Sequence, residues 1–382
     1  MTVVPVEAPE SLGIDGDKLD ELRARVRREV DQGRLPSAQF ALARHGQLAA
    51  FETFGAASND SRYAVFSVTK AFVAGAAWIL IGDGRLDVSR RVAEYVPEFG
   101  TNGKDVITVE QLMLHTSGFP HAPLGPPEWA DRQSRLEAFA AWRLSHEPGT
   151  VYEYHATSGH WVQAELIERL SGQDFRDFIH EKVTAPLGLP RMLGVPAADH
   201  DDVVAPQMCG EPPTPAEIKE VLGVDELPFS EVTPEALIYV ATPTTGEVGI
   251  PGGGGISSAA TVALYYQALL HNPVGLWDAE VLADATGNVR NRLGDPLRGI
   301  PANRTLSLVV AGDDGLAFTR GFGHTQSPRT FGHNGAGGQI AWADPESGLS
   351  FCYLTNGLDL HMFREFRRSV GLTSRAATCA TP

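Results

Sequence analysis

The segment "YAVFSVTKAF", residues 63 to 72, sets Ser67 three residues ahead of Lys70 and runs on into an almost wholly apolar stretch, "VAGAAWILIG". A hydroxyl is a weak nucleophile until a base stands within hydrogen-bond reach. On a helix, positions i and i+3 share a face, with roughly 5–6 Å between their Cβ atoms. An amine at 70 can therefore meet a hydroxyl at 67. Desolvation disfavours the charged form of a lysine, and an amine brought towards neutrality accepts a proton. A serine in the first helical turn also keeps a backbone N–H without an intrahelical partner, free to face a developing oxyanion. The bland alternative is a helix cap followed by a lysine reaching to solvent. Against it, Ser-x-x-Lys occurs once in the chain, and the helix that follows offers almost no polar face to a solvated lysine.

Other elements must position that pair. Residues 15 to 33 carry Leu19, Leu22, Val26 and Val30 at helical spacing, with Asp15 or Asp17 as cap and Gly33 at the close. "AQFALARHGQLAAFETFG" reads as two strands joined at "RHGQ", with Gly46 able to adopt positive φ. Residues 67 to 81 form a helix that stops at "GDG"; "ITVEQLMLHTSG", capped by Thr108, then "RLEAFAAWRL", "HWVQAELIERLSG" and "DFRDFIHEKV" give further helices. The run from 190 to 255, rich in Pro, Gly and acidic residues, is expected to be a surface excursion. "PGGGGISSAATVALYYQALLHN" is a glycine loop entering a helix capped by Ser257 or Ser258. "RTLSLVVAG", "TFGHNG", "GQIAWADPESG" and "LSFCYLTNG" read as successive antiparallel strands, closed by a helix at "DLHMFREFRRSVG". The expected class is therefore α/β (α+β). Residues 1–66 and 300–382 form an α/β lobe, 67–299 a mostly helical lobe, and the site lies between them.

Several blocks in this order resemble the penicillin-recognising serine hydrolases: class C β-lactamases, DD-peptidases and family VIII carboxylesterases. "SVTK" resembles their first motif, "PGTVYEYHATSGHWVQAELIERLSG" the tyrosine motif and its helix, "PGGGGISSA" the glycine loop, and "TFGHNGAGGQIAWADPESGLSFCYLTNG" the closing strands. The resemblance implies a β-lactamase/transpeptidase-like fold, an antiparallel sheet flanked by helices plus a mostly helical lobe. It makes Ser67 the nucleophile, Lys70 its base and Tyr154 a partner in proton transfer, favoured as phenolate beside a lysine ammonium. Counting back from the following helix would put the tyrosine position on His155; the lead-in "PGTVYEY" favours Tyr154. The amides of Ser67 and Ala336 would form the oxyanion hole. Where the β-lactamases carry Lys-Thr-Gly, this chain has His333-Asn334-Gly335. Gly335 would let the strand approach substrate closely, and His333 would line the substrate site. A histidine with pKa near ~6.5 holds a carboxylate weakly, which turns the expectation from penicillins towards neutral esters. His115, in "LHTSG", reads as structural.

Composition narrows the class. A net charge of -16 over 382 residues argues against nucleic acid. Cys209, Cys352 and Cys379 are odd in number and widely spaced, with no CxxC pair, so free thiols in a reducing compartment are expected, without a metal site. The N-terminal stretch shows no basic-then-apolar signal, and the longest apolar run is shorter than the ~18 residues a span requires. A cytoplasmic location, no membrane contact and no cofactor are the expectations. No serine lies in a GxSxG frame. The reading that results is a serine hydrolase cleaving small carboxylic esters through an acyl-Ser67 intermediate. β-Lactamase, D-amino-acid peptidase, amidase or acyltransferase chemistry stands second, and a non-catalytic scaffold third.

Overall fold

In the computed structural model, which describes residues 5–225 and 231–381, segments near both ends of the chain pair in one antiparallel sheet. Helix α1 (Gly16–Asp31) precedes strands β1 (Ser37–Arg44) and β2 (Gln47–Gly55). The middle of the chain supplies α2 (Thr69–Gly82), α3 (Ser158–Ser171) and α4 (Ala259–His271) among shorter helices. Strands β3 (Val309–Val310), β4 (Phe331–Gly332), β5 (Ile340–Asp344) and β6 (Leu349–Thr355) follow, and α5 (Met362–Ala377) closes the fold. The strand order is β2-β1-β6-β5-β4-β3. β1 meets β6 with Ala41 opposite Cys352, and β5 meets β6 with Trp342 opposite Phe351.

Successive strand residues point to opposite faces, and here the two faces differ in size. Phe40, Leu42, Trp342, Phe351 and Tyr353 pack with Leu19, Leu22, Val26 and Leu372 of α1 and α5. The alternating positions Ala41, Ala43, Ala341, Ala343 and Cys352 are small. They leave room for α4 to lie close against β1, β5 and β6. Burying each large aliphatic or aromatic side chain contributes roughly 1.5–3 kcal/mol. The sheet is thus a clamped platform rather than a mobile edge. Asp15 caps α1 by accepting from Lys18 N at 3.1 Å, and Ser258 caps α4 by accepting from Thr261 N. His45 (φ 54) and Gly46 (φ 79) make the tight β1–β2 turn.

Three expectations need correction. In "RTLSLVVAG" only Val309–Val310 joins the sheet, because Asn303 (φ 46) and Ser307 (φ 80) take left-handed backbone that breaks strand pairing. In "TFGHNG" only Phe331–Gly332 is strand; beyond Gly335 the chain turns into a short 3-10 segment, Ala336–Gly338. The 190–255 run is not a plain excursion. It holds helices Pro215–Leu222, Pro234–Val240 and Pro243–Val248, and a strand, Gln207–Cys209, that pairs in parallel with Gly357–Asp359. The sequence carried the signal: each of these helices opens on Thr-Pro, a cap followed by a proline whose missing N–H costs nothing at the first helical position. Residues 226–230 of that run lie outside the described residues. Among the described residues, no helix is long and apolar enough to cross a membrane.

Candidate active site

Ser67 lies in a single 3-10 turn, Phe66–Val68, directly ahead of α2. The entry to that turn is strained. Phe66 takes φ 46, a conformation that costs a residue with a Cβ on the order of 1–3 kcal/mol. Neighbouring groups hold it there. Val65 N donates to Gly255 O at 2.9 Å. Thr69 Oγ1 donates to Phe66 O at 2.5 Å and accepts from Gly255 N at 2.9 Å. The Phe66 ring is buried with Ala64 and Leu358. The glycine loop is therefore the backbone wall behind the serine.

Lys70 is fully buried. Its Nζ stands 3.3 Å from Ser67 Oγ, and it donates to Ala156 O at 2.7 Å and to Gly252 O at 2.5 Å. Burial pushes the amine well below the usual lysine range, and the positive charge of Arg304 pushes it further. Donor counting then fixes the geometry. An uncharged amine has two N–H bonds and one lone pair. In that state the two carbonyls take both N–H bonds and the lone pair accepts from the Ser67 O–H; protonated, the same amine donates to all three oxygens. Glycine at 252 is required for this contact, since a Cβ there would lie 2.7 Å from Ala156 O and 2.9 Å from Thr157 Cα.

Tyr154, not His155, reaches the serine. Burial raises the Tyr154 phenol above its ordinary value, while Arg304 and a hydrogen bond with Ser67 act in the opposite direction. The net shift is upward, so the phenolate expected at this position is replaced by a neutral phenol; desolvation outweighs the nearby charge. Lys70 Nζ lies over the Tyr154 ring, 5.0 Å from its centre. His155 turns the other way. Its Nδ1–H donates to Glu153 O at 2.6 Å, and its Nε2 accepts from Phe119 N at 3.3 Å and lies 3.0 Å from Ser117 Oγ. Burial drops its pKa to about 3, so it is a neutral structural pin. His115 is structural too: its Nδ1 accepts from His155 N at 3.1 Å, and its ring lies 4.8 Å from that of Tyr154.

The third motif closes on the same turn. A Cβ on Gly335 would stand 2.4 Å from Val65 O, so the strand edge and the serine turn meet backbone to backbone and bring Ala336 beside Phe66 in one apolar cluster. Gly335→Ala is expected to push these two segments apart and to lower kcat by ~10²–10³-fold, the range for loss of one oxyanion donor. Steady-state kinetics alongside a thermal melt checks this. His333 is buried, with its ring 5.9 Å from that of Tyr154. Its Nδ1 lies 2.8 Å from Asn334 O, and its Nε2 is buried with no partner. Burial, then Arg304 and Lys70, hold it well below the ordinary histidine range. Position 333 therefore presents a neutral ring with a bare lone pair.

The structure links these residues pairwise: Ser67 to Lys70 and Tyr154, Tyr154 to His333, and the Gly335–Ala336 turn to the Val65–Phe66 backbone ahead of Ser67. Sequence reasoning missed three contributors. The carbonyls of Ala156 and Gly252 have no side-chain signature. Arg304 looked like the first residue of a strand, yet its guanidinium sits 5.3 Å from the Tyr154 ring centre and bonds the Tyr152 hydroxyl at 3.0 and 3.2 Å. Its one sequence signal is a charge at the head of an apolar run.

Comparison with known proteins bears on the family and the fold. The beta-lactamase family model matches residues 22–372. An esterase/beta-lactamase, LipL of Mycobacterium tuberculosis, is 27% identical over 332 residues, covering 79% of this chain and 70% of the relative. A penicillin-binding protein homologue from Caulobacter crescentus superposes with a TM-score of 0.75 at 25% identity, over 95% of this chain and 98% of its own. EstA from Arthrobacter nitroguajacolicus Rue61a shares the fold, with a TM-score of 0.76 at 22% identity over 98% and 99% of the two chains.

Proposed function

The chain belongs to the beta-lactamase family, with that family's mixed helix and antiparallel-sheet fold, and from that premise we propose that it is a serine hydrolase of small, neutral carboxylic esters. The observation that carries the reading is the buried Lys70 amine, 3.3 Å from Ser67 Oγ and otherwise in contact with two backbone carbonyls. Ser67 Oγ attacks the ester carbonyl as its proton passes to Lys70 Nζ. The amides of Ser67 and Ala336 hold the oxyanion. Tyr154 O–H gives its proton to the leaving alkoxide, and the Lys70 ammonium, over the same ring, steadies the phenolate that results. Water then attacks the acyl-Ser67 ester, its proton passing to the Tyr154 phenolate, and the Lys70 ammonium returns its proton to Ser67 Oγ as the acid leaves.

One feature favours neutral esters over acids of the penicillin type. A carboxylate at position 333 would meet a lone pair instead of a charge. Beside Ala336, a cavity of about 250 Å³ is lined by Leu237, Gly337, Leu358, Asp359 and Glu365. The relative named esterase/beta-lactamase is compatible with either substrate.

A panel of chromogenic esters and β-lactams, run on wild type and His333→Lys, tests the assignment. The expected result is ester turnover in the wild type, and a shift of at least ~10-fold in the β-lactam-to-ester ratio in His333→Lys, since a buried cation in hydrogen-bond contact with a carboxylate is worth ~1.5–3 kcal/mol. An unchanged ratio sinks the neutral-ester reading.

A further inference from the structure

Arg304 is the most isolated charge near the site. It is 3% exposed, and its backbone is pinned by Arg304 N donating to Asn291 O at 3.0 Å and by Arg290 N and Asn291 N donating to Arg304 O. Nε and Nη2 donate to one oxygen, the Tyr152 hydroxyl, at 3.2 and 3.0 Å, while Nη1 is buried with no partner. Among the described residues no carboxylate forms an ion pair with it. Asp295, the acid of the neighbouring hairpin, is committed to Arg298 at 3.2 Å and to the amides of Leu297 and Arg298. A buried cation without a counterion costs several kcal/mol, and a guanidinium does not shed its proton to escape that cost.

We infer that Arg304 is a positioning residue of this site: a permanent positive charge, fixed above the Tyr154 ring and left without a counterion, that keeps the proton off Lys70 and eases its release from Tyr154. This rests on the assignment of Ser67, Lys70 and Tyr154 made above. Position 333 supplies no cation, and the positive charge comes instead from a different segment, just ahead of β3. The groups that share the space have defined states. His115, His160 and His333 are each held well below the ordinary histidine range, by burial first, and are neutral. His155 is pinned and neutral. Tyr152 is raised by burial and stays a phenol. Arg298 faces the same region from the hairpin but is 44% exposed at its side chain and paired with Asp295, so solvent and carboxylate blunt it. Arg304 is the only one of these groups that is permanently charged, buried and unpaired. The competing role is mechanical, in which the guanidinium merely holds Tyr152.

The pH dependence of Ser67 labelling by a fluorophosphonate, read by mass spectrometry on the full chain, separates the two roles. In the wild type the rate rises with pH as Lys70 loses its proton. In R304M and R304Q the rise is expected to move to higher pH by ~1 unit or more, because a nearby like charge has been removed. R304K keeps the charge and loses the fork to Tyr152, so its rise is expected to stay at the wild-type pH even if the plateau falls. A lower plateau with an unmoved rise in a folded neutral variant overturns the inference in favour of the mechanical role. Should neither neutral variant fold by circular dichroism, Y152F decides, since it deletes the fork's acceptor and keeps the charge: labelling at the wild-type plateau and pH supports the inference, and a lowered plateau or a moved rise overturns it. A wild type that takes no label at any pH fails at the premise, the Ser67 assignment, and is distinguished from the other outcomes by that absence.

Discussion

Replacing Ser67 with alanine is expected to lower ester turnover by ~10⁴-fold or more, because a covalent mechanism without its nucleophile retains only binding and oxyanion stabilisation. The substitution removes one oxygen and leaves the strained turn in place. Phe66 remains locked by Thr69, Gly255 and its apolar neighbours. The melting temperature should therefore change little, and the loss will be chemical. Turnover assays with the purified variant, alongside a melt, make the check. A scaffold that had merely kept the fold would show no turnover to lose, and a hydrolase using another nucleophile would keep most of its rate.

Lys70→Met is expected to move activity and stability in opposite directions. The amine is the base, so turnover should fall by ~10³-fold or more. The double variant Ser67→Ala/Lys70→Met should be no worse than either single change, as expected for groups that act as one unit. Stability follows from proton linkage. The folded-state pKa of Lys70 is depressed by burial and by Arg304, so near neutral pH the unfolded chain binds a proton that the native state lacks. The unfolded state is favoured by that difference at every pH below the ordinary lysine value, and the penalty fades as pH rises towards 10.5. Methionine removes the penalty and fills a similar volume, so the variant should melt higher than wild type at pH 7. The gap should narrow as pH approaches 10.5. A variant that melts lower at pH 7, with the gap unchanged on raising the pH, would mean that the lysine is charged in the native protein.

Much of this site is legible in the sequence because its chemistry sits in side chains at fixed local spacing. Ser67 and Lys70 declare themselves by an i, i+3 relation at the entry to an apolar helix, and the sheet by period-two alternation in β1, β5 and β6. The protonation of Tyr154 is not legible there, for a physical reason. The sequence shows that a lysine lies near it, but not that the phenol loses its water, and desolvation is the larger effect. The carbonyls of Ala156 and Gly252 were invisible because a backbone oxygen is the same for every residue type. Arg304 was passed over because its neighbours Asn303 and Ser307 adopt left-handed backbone, and a strand reading of "RTLSLVV" gives no hint that the chain bends its arginine into the interior. The helices of residues 215–248 are masked by an acidic, proline-rich composition that suggests loop, although each opens on Thr-Pro.

The most direct test is a rapid acid quench of the enzyme during turnover of a small chromogenic ester, followed by peptide mass spectrometry. The account predicts that the substrate's acyl group will be found on the peptide bearing Ser67 in the wild type, in an amount that builds up faster than the acid product appears. Ester turnover with the acyl group on some other residue, or with none captured at any quench time while product accumulates, would contradict it.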